Sequence, residues 1–215
     1  MQAVRNNLIV KIKTKYIKNF TSILKQAQLV HQTEFNEADL VNIVGEVVSV
    51  PKHIDTTDEY LGFSTDGILP GDTVIFRYDV IYAFNREKEV DSPIYRNLFW
   101  YKGQEYWTVD IQKVFAVIRN GEIRMVNGYV MIENIENPST LIIPGELKKL
   151  LSVGSATVTH IGDNRSNLNK LWIEELSTVF INQRIIQRYQ INNHYFGIIE
   201  QKHIYGSNPP IYAEN

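Results

Sequence analysis

The 215-residue chain contains no cysteine, which removes disulfides, thiolate metal ligands and cysteine nucleophiles in one step. Long apolar runs are missing as well. Nothing approaches the roughly 20 residues a helix needs to cross a bilayer, and the opening residues Met1 to Asn7 are polar. Neither a membrane span nor a signal peptide is expected, and the expected location is cytoplasmic. An excess of one charge is also absent: 22 Lys and Arg stand against 24 Asp and Glu, a formal net charge of −2, so a nucleic-acid-binding surface is not expected. There is no Gly-x-Ser-x-Gly elbow, phosphate-binding glycine loop or Gly-x-Gly-x-x-Gly fingerprint. His31, His53, His160, His194 and His203 lack the spacing of a metal site. Ser155, His160 and Asp163 share one short stretch without an elbow, so they are not read as a catalytic triad. A non-enzymatic protein without metal or cofactor is expected.

What is present is the composition of a folded globular protein, with 44% apolar and 21% charged residues. Short runs rich in Val, Ile and aromatics recur between turn signals at Leu8 to Ile12, Val41 to Val50, Thr73 to Phe84, Glu105 to Val109 and Val114 to Arg119. The second half continues with Tyr129 to Glu133, Ala156 to Ile161, Thr178 to Gln190 and Tyr195 to Ile199. Pro70-Gly71-Asp72 and Asn120-Gly121 read as turns between them. Two short segments, Phe20 to Leu29 and Gly145 to Leu151, have helical potential.

One pattern occurs twice. Tyr106 to Phe115 matches Tyr195 to Ile204, Asn7 to Lys13 matches Gly128 to Asn134, and Leu40 to Pro51 matches Leu150 to Gly162 with freedom to slip by one residue. The reading is all-β, two tandem antiparallel β-barrels spanning residues 1–119 and 120–215, joined at Asn120-Gly121. The expected core is Val10, Val47, Val74, Phe76, Val109 and Phe115, with Val158, Phe180, Ile198 and Ile204 in the second domain.

The order of these pieces resembles the GroES-type co-chaperonins, in their tandem two-domain form. Asn7 to Lys11 is similar to the family's opening strand, Gly45-Glu46-Val47-Val48-Ser49-Val50 to its Gly-Glu-Val strand, and Leu69 to Phe76 to its Gly-Asp turn and following strand. Val109 to Ile118 resembles the closing strand, turn and strand. In the second half Ser139-Thr140-Leu141-Ile142-Ile143-Pro144 resembles the family's loop motif, and Thr178 to Ile181 stands where Thr73 to Phe76 stands. The first loop lacks paired glycines, and its nearest tripeptide is Ser22-Ile23-Leu24. The Gly-Glu-Val motif becomes Gly154-Ser155-Ala156, and the Gly-Asp turn becomes Leu176-Ser177.

The resemblance implies a homo-oligomeric ring that caps a chaperonin through aliphatic loop residues, here Ile23, Leu24, Leu141, Ile142 and Ile143. Each aliphatic side chain buried on a partner contributes about 1.5–3 kcal/mol before ordering costs, and a ring multiplies such weak contacts. A composition rich in Ile, Asn and Tyr and poor in Ala suits an AT-rich genome such as a bacteriophage's. The alternative is therefore a structural virion component, a head auxiliary or decoration protein, that contacts capsid proteins through the same barrel. Trp100, Tyr106 and Trp107 are an aromatic cluster for which core or interface packing is favoured over stacking on single-stranded nucleic acid.

Overall fold

Branched and aromatic side chains at alternating positions build extended strands, and thirteen of them make up the regular structure of the described residues. The computed structural model describes residues 1–14, 41–55, 57, 60, 62–81, 97–136, 153–163, 173–182, 186–191 and 194–209. The chain divides into two compact units, Met1–Glu122 and Ile123–Asn215. One sheet contains β1 (Asn7–Lys11), β2 (Val44–Ser49), β3 (Thr73–Phe76), β4 (Leu98–Tyr101), β5 (Gln104–Asp110), β6 (Val114–Arg119) and β7 (Glu122–Met125) in the order β4-β5-β1-β2-β3-β6-β7. The other contains β8 (Tyr129–Glu136), β9 (Val153–Ile161), β10 (Thr178–Asn182), β11 (Gln187–Ile191), β12 (His194–Glu200) and β13 (Ile204–Asn208) in the order β11-β12-β8-β9-β10-β13.

Six strands of the first sheet thus map one to one onto the second, and the register agrees residue by residue. Val10 lies opposite Val47 and Trp107; Ile132 lies opposite Val158 and Gly197. Val74 opposite Val117 corresponds to Val179 opposite Ser207, and the register shifts one residue later in both, between Ile75 and Phe76 and between Phe180 and Ile181. The 3-10 turns Ile111–Lys113 and Gln201–His203 follow β5 and β12, each tied to its opening strand: Ile111 N–H donates to the Asn6 carbonyl and Gln201 N–H to that of Gly128.

Alternation places one face of each sheet in a core. In the second unit Val130, Ile132, Ala156, Val158, Val179, Ile181, Ile199 and Ile204 cluster together. Their counterparts Leu8, Val10, Val47, Val74, Phe76, Val109 and Val114 are buried in the first. At the remaining position Gly45 replaces Ala156, and a methyl group there would come within 3.2 Å of the Phe76 ring. The smaller residue on β2 is matched to the larger one on β3.

The all-β class and antiparallel pairing agree with the sequence reading. Closure does not: among the described residues both sheets end at unpaired edges and neither forms a closed barrel. Val10, Val47, Val74, Phe76, Val109, Phe115, Val158, Ile198 and Ile204 are buried as expected. Phe180 is not. It is 38% exposed, because Val179 and Ile181 take the inward positions of β10 and Ile181, not Phe180, is the counterpart of Phe76.

The internal matches also shift. Sequence identity at Gln-Lys pairs Lys113 with Lys202, but the turns superpose Lys113 on His203 and Val114 on Ile204. The same one-residue correction aligns Asn7 with Tyr129. Gly45-Glu46-Val47 aligns with Ala156-Thr157-Val158, two residues beyond Gly154-Ser155-Ala156, the stretch read from the sequence as its counterpart. A slip of one exchanges the inward and outward faces, so buried positions fix the register where shared letters do not. Thr73 to Phe84 is not one strand: β3 stops at Phe76, and Tyr78–Val80 forms a 3-10 turn. Thr178 to Gln190 contains parts of two strands, β10 and β11. Asn120 and Gly121 both have positive φ, 53° and 85°, and form the tight turn between β6 and β7, as a two-residue hairpin requires. Phe20 to Leu29 and Gly145 to Leu151 lie outside the described residues.

Candidate functional site

Ile23 and Leu24, and Leu141, Ile142 and Ile143, lie outside the described residues. Their places in the chain are nonetheless equivalent. The first pair falls between β1 and β2, and the triplet between β8 and β9, the matching strands of the two units.

Within the described residues, two exposed apolar areas stand out. The first is the hairpin of β4 and β5, where Trp100 is 64% and Tyr101 43% exposed. Phe99 stacks on Tyr106 at 5.8 Å between ring centres, and the Lys102 ammonium lies 5.4 Å from the Tyr101 ring. The second unit repeats the aromatic pair as Tyr189 and Phe196 at 6.1 Å. Trp107 is fully buried, so Trp100, Tyr106 and Trp107 do not form one exposed platform. Packing, the favoured alternative, applies to Trp107 and to the Phe99–Tyr106 stack.

The second area surrounds the entry to β10. Hydrogen bonds show one turn built twice: Gly71 N–H donates to the Val47 carbonyl and Val47 N–H to that of Asp72, both at 2.7 Å. Leu176 N–H donates to the Val158 carbonyl at 2.8 Å and Val158 N–H to that of Ser177 at 3.0 Å. The shared position requires positive φ, 96° at Gly71 and 66° at Leu176. Glycine adopts it without penalty, whereas a leucine there carries about 1–2 kcal/mol of backbone strain. Leu176 gains no burial in return, being 66% exposed. Two exposed aromatics follow, Phe180 and Tyr205, the latter 62% exposed. Sequence reasoning found the Leu176-Ser177 substitution but missed Tyr205; the signal was available in an aromatic beside a glycine on a strand rich in neither charge nor proline.

Charged groups sit where they hold turns. Asp72 is buried and accepts from Leu69 N–H at 2.7 Å and from two nitrogens of Arg119 at 2.7 Å each. The hydrogen bond from Arg119 to Asp72 raises the guanidinium's already high pKa. Burial pushes the Asp79 carboxyl up, but hydrogen bonds from Arg77 (2.7 Å) and Lys113 (2.9 Å) outweigh it and hold Asp79 below the usual carboxylate range. A small cavity of 260 Å³ in the second unit is lined by Tyr129, Gln187, Ile198, Ile199, Glu200 and His203. Glu200 is ion-paired with Lys202 at 2.8 Å. Among the described residues no three His, Asp or Glu side chains gather as a metal site, and no helix is long and apolar enough to cross a membrane.

No protein-family model and no curated protein matches the chain.

Proposed function

We propose that the chain is a non-catalytic, co-chaperonin-like protein that assembles into a ring and caps a chaperonin through aliphatic residues of its two long connections. The supporting observation is the duplication itself. Two units share strand order, register and the turn into their third strand, and each carries a long connection between its first and second strands. Ser139 to Pro144 in the second of these holds the aliphatic run Leu141-Ile142-Ile143, flanked by turn-forming residues. Such a block binds by entering an apolar groove, each side chain contributing about 1.5–3 kcal/mol before ordering costs. Ring multiplicity makes weak single contacts sufficient.

The test is co-purification with a chaperonin, with and without ATP, of the wild-type chain and an Ile142→Ser variant. Wild-type binding that is lost in a variant of unchanged melting temperature supports the cap. Absence of wild-type binding, or undiminished binding by Ile142→Ser, rejects it. A second reading, a structural virion component on the same fold, is favoured by the apolar side chains at Leu176, Phe180 and Tyr205. They are exposed on a folded sheet and its turn, where fixed contacts to neighbouring subunits form.

A further inference from the structure

We propose that the outer side of β10 and β13 is a self-association surface, on which a second copy of this chain docks about a two-fold axis. The inference goes beyond the chaperonin-cap reading and does not depend on it.

The first argument is a comparison of equivalent positions. On β3 and β6 the residues Ile75, Phe115 and Ala116 are fully buried. The matching register puts Phe180, Tyr205 and Gly206 at those positions on β10 and β13, with Phe180 opposite Gly206 and its ring 3.9 Å from where a Gly206 side chain would begin. Val179, Ile181 and Ile204 occupy the core side, so Phe180 and Tyr205 belong to the other side and remain exposed. The fold thus accepts an apolar cover here in the first unit. In the second the position keeps larger aromatics and stays open to solvent.

Leu176 supplies the second argument. Its positive φ is strained for leucine, and the side chain is exposed at the turn entering β10. An exposed apolar side chain held at a strained position is accounted for by contact with something outside the unit.

Charge identifies the occupant. Glu174 and Glu175 are exposed beside Leu176 at one end of β10. Because β13 runs antiparallel to β10, the exposed Lys202 lies toward the other end, ahead of the pairing of Ile181 with Ile204. The surface is therefore acidic at one end, apolar in the middle and basic at the other. A two-fold rotation about the middle lays acid over base and aromatic over aromatic, so the surface is complementary to itself. Lys202 is 64% exposed and already paired with Glu200; exposed pairs of this kind exchange partners readily.

Sedimentation velocity on the full chain across a concentration series tests this. The expected result is a reversible doubling of mass whose dissociation constant weakens at least about tenfold in Phe180→Ser and in Leu176→Gly. The second variant relieves strain, and its melting temperature, measured alongside, separates lost association from lost folding. Charge reversal sharpens the test: Glu174→Lys with Glu175→Lys, or Lys202→Glu alone, weakens association, and all three together restore it. If the wild type forms a larger assembly through other surfaces, the same variants halve its mass. A wild type without this doubling, or an assembly unchanged in folded Phe180→Ser and Leu176→Gly, overturns the proposal.

Discussion

Asp72 and Ser177 occupy the same place in two copies of one turn, and they close it by different means. In the first unit a buried carboxylate gathers the Leu69 N–H and the Arg119 guanidinium. In the second, the Ser177 hydroxyl donates to the Glu174 carbonyl at 2.5 Å, and Pro209 stands where Arg119 stands. One residue earlier the contrast repeats: Gly71 is unstrained at positive φ and Leu176 is strained. The backbone hydrogen bonds are nonetheless the same. The strand register defines the fold, and turn chemistry can change around it, provided the lost stability is tolerated. Duplication permits this, since one copy can hold the structural solution while the other presents different surface chemistry.

The largest expected effect tests whether the two cores are the same core. Phe76→Ala should destabilise the first unit by about 3–5 kcal/mol, and Ile181→Ala the second by about 2–5 kcal/mol, because both side chains are fully buried at one equivalent position. Hydrogen exchange resolved by peptide reads each unit separately. Gly45→Ala alone should also destabilise the first unit, since its methyl meets the Phe76 ring at 3.2 Å. Adding Phe76→Ile reproduces the Ala156 and Ile181 combination and should recover part of that loss. Full additivity of Gly45→Ala and Phe76→Ile would break the equivalence.

Next is the turn. Asp72→Ala leaves the Leu69 N–H without its acceptor and removes the Arg119 ion pair, and should cost more than Ser177→Ala, which removes one neutral hydrogen bond contributing about 1 kcal/mol. Equal losses, measured by the same exchange experiment, would show that the carboxylate does no more than the hydroxyl.

These contrasts mark what was legible in the sequence. The all-β class and seven of the ten named core residues follow from periodicity, because a buried strand face needs an apolar residue at every second position; Phe115 and Ile198 are buried as well, beside the core-face residues Val114 and Ile199. Phe180 was misplaced because alternation gives two possible faces and its size favoured the wrong one. The duplication was visible, yet the alignment followed the shared letters Gln112-Lys113 and Gln201-Lys202, which stand one position apart in the two 3-10 turns. Three short strands were missed: β4, four residues long; β7, which contains Glu122 and Arg124; and β13, which contains Gly206, Ser207 and Asn208. The pairing of the last two comes from neighbouring strands, not from their own propensity. The aliphatic candidates Ile23, Leu24, Leu141, Ile142 and Ile143 rest on the family resemblance and on their equivalent places in the chain.

A smaller effect comes from exchanging the residues at positive φ. Leu176→Gly should stabilise the second unit by up to about 1 kcal/mol, the relief of strain being partly offset by the greater freedom of glycine in the unfolded chain. Gly71→Leu should destabilise the first by about 1–2 kcal/mol for the same reason reversed, the Cβ itself meeting nothing within 4 Å. A loss of stability in Leu176→Gly would mean that Leu176 makes apolar contacts worth more than its strain.

The smallest expected effect separates the units by pH. Asp79 is held below its usual 3.8 by Arg77 and Lys113, so the folded first unit takes up a proton there less readily than the unfolded chain. The resulting stabilisation is present above the unfolded pKa and is lost as pH falls through the folded one. In the second unit the position of Lys113 holds His203 and that of Arg77 holds Asn182, so the same clamp cannot be made from the same charges. Because all three side chains are partly exposed, solvent screening keeps the contribution below about 1 kcal/mol. Denaturant midpoints of wild type and Asp79→Asn should differ near neutral pH and converge as pH falls below the unfolded carboxylate's 3.8, with the difference confined to first-unit peptides in hydrogen exchange. A difference that persists unchanged at the acid end would show that Asp79 acts through neutral hydrogen bonds and not through its charge.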